Sequence, residues 1–196
     1  MPSLHEILNA LLGSYHLARR DTDGYRLFNN SVEGFWRSFT AIVLIVPLIY
    51  ILSNIEVELQ RQLAAEQNET VDAAVDYGRL AFAVVLEWLA FPVVMVFVAR
   101  ALDLSHRYAI YIIVYNWSSI LITAAFSIPM LLFWIGIAGP AATVLMWFML
   151  FLPVFYYRWF IAVTALETAG PIAGGLVALE FALSLVIASA TASLFG

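Results

Sequence analysis

Three ionisable side chains, Glu87, Arg158 and Glu180, interrupt long apolar runs of the chain, and an acid or base in such surroundings needs either a partner or a task. At the centre of a bilayer a charged side chain costs roughly 2.5 to 3.5 kcal/mol on insertion scales, so its presence has to be offset locally. The chemistry open to this set is ion pairing and the exchange of a proton or cation. Arg158 with Glu180 makes a neutral pair, Asn116 with Ser118 or Ser119 supplies hydrogen bonds to it, and Glu87 stays neutral by taking up a proton. Counted at about 1.5 Å per residue from one side, Glu87 lies roughly 19 Å deep, Asn116 and Glu180 about 14 Å and Arg158 about 9 Å, a single polar layer. Two readings stay open. A protonatable acid in lipid is equipped to pass a proton or cation, whereas an acid hydrogen-bonded between helices simply holds them together. Arg158, beside Tyr156, Tyr157 and Trp159, also fits an anchor reaching for headgroups. The run Tyr115-Asn116-Trp117-Ser118-Ser119 suits either a ligand or contacts between helices.

Other chemistries lack their residues. There are no cysteines, and His5, His16 and His106 are scattered, so no zinc-type spacing occurs and no metal or cofactor is expected. No glycine-rich phosphate loop, Ser-His-Asp set or His-Glu zinc motif is present, and an enzyme is not expected. Asp21 and Asp23 are accounted for by a capped turn. The nine basic residues are all Arg against fourteen acids, and a net charge of −5 gives no footprint for nucleic acid.

The elements that must position the layer follow from the apolar pattern. Hydrophobic residues make up 63% of the chain, gathered into about five stretches of the roughly 20 residues that a hydrocarbon core of about 30 Å demands. The expected fold class is therefore all-α, a polytopic membrane helical bundle with the lipid bilayer as its surroundings. Ahead of it, Leu4, Ile7, Leu8, Leu11, Leu12 and Tyr15 mark one face of an amphipathic helix over 3–18, with Ser3 and Glu6 as a capping box. That helix either lies in the interface or packs on the bundle. With a second short helix from Asn30 carrying Phe35 and Trp36, it makes a head over residues 1–35. The membrane domain over 36–196 has spans at about 36–54, 79–100, 107–133, 140–164 and 171–194, with an acidic loop in water at about 54–78.

Pro47, Pro92, Pro129 and Pro153 fall one to each of the first four spans and are expected to kink them. In the fifth, Gly170, Gly174, Ala178 and Ala182 form a small-residue stripe for close helix packing, within the chain as the commoner case or against another membrane protein or a second copy. Arg19, Arg20, Arg26, Arg37, Arg100, Arg107 and Arg158 fall on one side. The positive-inside rule makes that side cytoplasmic, putting the N-terminus inside and the C-terminus outside, in a bacterial cytoplasmic (inner) membrane.

Five spans, an N-terminal amphipathic helix and closely spaced spans three to five together resemble the Yip1-type membrane proteins and their bacterial relatives. The stretch Ser105-His106-Arg107-Tyr108 running to Tyr115-Asn116-Trp117 is similar to a segment of the bacterial kind. The acidic motif that eukaryotic members carry before their first span has no counterpart here. The resemblance implies a membrane-organising or partner-binding role without chemistry of its own. The first expectation is thus a non-enzymatic scaffold or accessory subunit, and the second a proton- or cation-linked transporter or channel using Glu87 and Glu180.

Overall fold

The computed structural model describes residues 1–72 and 74–195. Ala73, within the segment expected to be an acidic loop, and Gly196 lie outside the described residues. Helices account for 83% of the chain, and no strand occurs among the described residues. The order is α1 (Leu4–Ala18), a 3₁₀ segment (Thr22–Leu27), α2 (Val32–Ser38), α3 (Ala41–Glu66), α4 (Tyr77–Ala101), α5 (Tyr108–Trp134), α6 (Pro140–Met149), α7 (Phe151–Leu166) and α8 (Gly170–Phe195). Five units are long and apolar enough to cross a membrane: α2 with α3, α4, α5 with the short turn before it, α6 with α7, and α8.

The first helix is built as its sequence requires at the start and differently along its side. Ser3 accepts a hydrogen bond from the Glu6 amide at 3.1 Å, as the capping box predicts. The face that packs inward, however, is Ala10, Gly13, Ser14 and Leu17, while Leu4, Leu8, Leu12 and Tyr15 of the expected apolar face are exposed. Small residues win the inner face because the backbone crossing is close. A Cβ on Gly13 would stand 2.8 Å from the Gly24 carbonyl oxygen, and one on Gly24 would stand 2.7 Å from the Gly13 oxygen. The same face is pinned by the Tyr157 hydroxyl of α7, which donates to the Ser14 carbonyl at 2.7 Å.

The turn after α1 is a 3₁₀ segment capped by Asp21, whose carboxylate accepts from the Asp23 amide at 3.0 Å and faces His16 Nδ1 at 2.6 Å. The His16 hydrogen bond is the main cause that holds the Asp21 carboxyl below its ordinary value. Tyr25 then reaches α7, its hydroxyl 3.0 Å from Thr164 Oγ1 and 3.2 Å from the Ile161 carbonyl. Glu6 joins the head to the start of the membrane domain by accepting from Asn29 at 3.0 Å and from Arg37 at 2.8 Å. Burial pushes its carboxyl up, but these hydrogen bonds and the nearby guanidinium outweigh burial and leave it below its ordinary value.

The short helix expected from Asn30 starts at Val32, with Ser31 as its cap. The larger correction is α3, which does not end near 54 but continues as helix to Glu66. The reason is a second apolar cluster: Ile55 and Leu59 are buried with Met130 and Phe133 of α5, and Leu52 and Leu63 pack against them. The acids of this stretch share a helix with an apolar stripe, so the turn begins only at Gln67. At that end Tyr77 stacks on Tyr50, centroids 5.0 Å apart, and donates to Asn54 at 3.0 Å.

Pro47, Pro92 and Pro129 lie inside helices that remain continuous, whereas the fourth span breaks at Leu150 into α6 and α7. Pro153 explains the position of the break, because it has no N–H to offer the Met149 carbonyl four residues earlier. The central element is α5, which contacts α1, α2, α3, α4, α6 and α7 and buries Tyr111–Val114 and Asn116–Ser119. α8 packs between α4 and α7.

Candidate functional site

The polar layer is assembled from α5, α7 and α8 around Arg158, which is 8% exposed. Its Nε lies 3.3 Å from Glu180 Oε1. One terminal nitrogen donates to the Tyr115 carbonyl at 3.1 Å and to Ser118 Oγ at 3.0 Å, and the other donates to Ser119 Oγ at 2.9 Å. Both serines are placed by helical spacing: each hydroxyl donates back to the Tyr115 carbonyl, at 2.9 and 2.8 Å, which turns its lone pairs toward the arginine. The Tyr115 ring lies under the guanidinium at 3.9 Å to the centroid, and its hydroxyl donates to Glu180 Oε1 at 2.9 Å. A buried charge tolerates removal from water only with this kind of full pairing.

The expected pairing of Arg158 with Glu180 and the serine hydrogen bonds are thus present, and Arg158 is a buried clamp, not an interfacial anchor. Asn116 is not part of it. Although it is one residue from Tyr115, the helical turn directs it to the bend between α2 and α3, where its amide donates to Ser38 Oγ at 2.9 Å. The layer is also less flat than expected. From the head-side helix ends, Tyr115 is about 11 Å deep, Arg158 about 12 Å and Glu180 about 15 Å, while Glu87 is about 21 Å.

Glu87 stands apart from the clamp but faces the same space. It lines, with Arg158 and Glu180, a cavity of about 540 Å³ between α4, α5, α6, α7 and α8. Its side chain is exposed on that wall, and no other described residue hydrogen-bonds or ion-pairs with it. Aromatic rings make up much of the rest: besides Tyr115, these are Phe91, Phe126, Trp147, Phe151, Phe155 and Phe181. Phe91, one turn from Glu87, stacks on Tyr115 at 4.6 Å between centroids. Phe151 contacts Phe126, Trp147, Phe155 and Phe181 at 5.0 to 6.2 Å. The sequence carried a signal for this wall that reasoning from charges alone passes over: Trp147, Phe151 and Phe155 recur every four residues, the spacing of one helix face.

The small-residue stripe of α8 is placed differently from its commoner expectation. Gly170 does meet a neighbour: Trp159 of α7 lies 3.3 Å from where its Cβ would be and donates to its carbonyl at 3.0 Å. Gly174 would meet nothing within 4 Å, and Ala178 and Ala182 are exposed. The inward face of α8 is instead Ala173, Leu176, Val177, Ile187 and Thr191. A fourfold repeat cannot track the 3.6-residue turn, so the stripe drifts off the packed face after one contact.

Fold and site together define a multi-pass α-helical membrane protein with an internal, charge-paired layer and a lateral aromatic cavity. Compared with protein-family models, curated proteins and solved structures, the chain matches none.

Proposed function

We propose that this protein is a non-enzymatic scaffold or accessory subunit of Yip1-like type in a bacterial cytoplasmic membrane, with its head on the cytoplasmic side. The observation that carries this reading is the direction in which its surfaces face. Arg158 and Glu180 are paired inside the bundle, whereas the small-residue ridge Gly174, Ala178, Ala182 and the leucine stripe of α1 are left on the outside. A ridge without large side chains gives a second helix close approach, and van der Waals contact of that kind is what associates helices in lipid. Arg19, Arg20, Arg26, Arg37, Arg100 and Arg107 support the orientation once Arg158 is set aside as buried.

Because the chain has no native cysteine, Ala178→Cys gives a single thiol for crosslinking in native membranes. A crosslinked dimer, or an adduct with another membrane protein, is expected. Failure of Gly174→Cys, Ala178→Cys and Ala182→Cys alike, with thiols reactive to a small reagent, would remove the ridge as a contact face and the scaffold reading with it.

A proton- or cation-linked transporter or channel is the second reading, and the unpaired Glu87 on the cavity wall is what favours it. Glu180 fits that role less well, being held by Arg158 and Tyr115. In proteoliposomes, flux of protons or monovalent cations that is lost in Glu87→Gln and retained in a folded Glu180→Gln supports it; no flux above empty liposomes removes it.

A further inference from the structure

The cavity beside Glu87 combines three features that select one class of ligand. Its volume of about 540 Å³ falls within the 300 to 1,000 Å³ typical of small-molecule sites. Its charge is unbalanced: Arg158 is matched by Glu180 within the clamp, and Glu87 remains as a carboxyl with no protein partner. Its walls carry aromatic rings, whose faces attract cations through their negative quadrupole, and Arg158 already occupies the Tyr115 face.

A small inorganic cation would find no oxygen cage here. Glu87 is a lone free carboxyl among rings, and no group of three or more potential ligands occurs among the described residues. A phospholipid headgroup is the wrong occupant by depth, since Glu87 lies about 21 Å from the head-side end of α4, inside the zone that acyl chains fill. What matches carboxyl, rings and depth together is a cation that carries its own apolar cover. We propose that the cavity binds a lipophilic organic cation, a quaternary ammonium or phosphonium bearing aromatic or alkyl groups, with its charge against Glu87 and its substituents among Phe91, Trp147, Phe151 and Phe181. This goes beyond the scaffold reading and does not depend on it: binding requires the cavity and Glu87, not the α8 ridge, and requires no transport.

The test uses the full chain in phosphatidylcholine nanodiscs with tetraphenylphosphonium as the probe, measured by equilibrium dialysis against empty nanodiscs. Saturable binding of one probe per chain is expected. Glu87→Gln lowers the affinity at least tenfold, Glu87→Asp restores part of it, and Phe151→Ala lowers it several-fold with Glu87 intact. Tetraphenylmethane, a neutral compound of the same shape, separates charge recognition from partitioning, and its uptake is expected to be the same in wild type and Glu87→Gln. Binding to wild type no greater than to empty nanodiscs overturns the proposal, as does equal binding of the probe to wild type and Glu87→Gln. Size-exclusion profiles and thermal unfolding establish that each variant is folded. Glu58→Gln, an exposed acid of α3 outside the cavity, supplies a second folded reference, and a loss there as large as in Glu87→Gln would also overturn the assignment, because it would mean that the probe responds to net charge and not to the cavity carboxyl.

Discussion

Arg158→Leu is expected to lower thermal stability by about 3 kcal/mol, and Arg158→Leu combined with Glu180→Leu to recover most of that loss. Breaking a buried ion pair by removing one partner typically costs about 3 to 5 kcal/mol, because the other charge is left uncompensated. The lower end applies here, since Glu180 keeps the hydrogen bond from the Tyr115 hydroxyl. The serine hydroxyls lose nothing essential, as each already bonds the Tyr115 carbonyl. With both charges gone the site becomes an apolar contact of α7 with α8, and replacement of buried pairs by well-packed apolar residues is often neutral or stabilising. Thermal unfolding of the two single variants and the double variant in one detergent gives the coupling directly. Additive losses would show that Arg158 and Glu180 act independently. Arg158→Lys would not rescue the single loss, because an ammonium cannot present a planar fork to Glu180, Ser118, Ser119 and a backbone carbonyl at once.

The second large effect is expected where the head folds on itself. Gly24→Ala places a methyl group 2.7 Å from the Gly13 carbonyl oxygen and 2.8 Å from His16 Cβ, and neither backbone nor Cβ can turn away as the end of a flexible side chain would. Overpacking of this kind costs about 1 to 3 kcal/mol. The strain is relieved by separation of the 3₁₀ segment from α1, which exposes the chain at Arg19, Arg20 and Arg26. Limited trypsin digestion should therefore cut Gly24→Ala several-fold faster than wild type at these residues. Gly175→Ala is the control, because nothing lies within 4 Å of its added Cβ and alanine is the better helix former. Equal cleavage of Gly24→Ala and wild type would mean that the crossing tolerates a wider spacing.

What could be read from the sequence was what a one-dimensional pattern contains. Five long apolar runs set the spans, and charges with opposite signs inside them, Arg158 and Glu180, could hardly remain apart in lipid. Patterns failed where the third dimension decides. The leucines of α1 form the more hydrophobic face, yet a close backbone crossing at Gly13 and Gly24 selects the small face for burial and leaves Leu4 and Leu8 outside. Acids after Asn54 signal water, yet Ile55 and Leu59 among them hold the chain helical against α5. Depth and hydrogen-bonding capacity group Asn116 with Arg158, yet rotation about the helix axis sends it to Ser38. The cavity was invisible for a related reason: its rings come from α4, α5, α6, α7 and α8, and no single segment announces a space between helices.

The clamp also imposes an order of events on the chain's synthesis. Chains are made from the N-terminus, so Tyr115, Ser118 and Ser119 are in place before α7 is made, and Arg158 arrives to find its hydrogen-bond acceptors waiting. Its counter-charge comes 22 residues later, on α8. Until α8 enters, the nascent bundle holds an arginine solvated by a carbonyl, two hydroxyls and a ring, with no carboxylate beside it. The insertion of α8 is therefore also the neutralisation step.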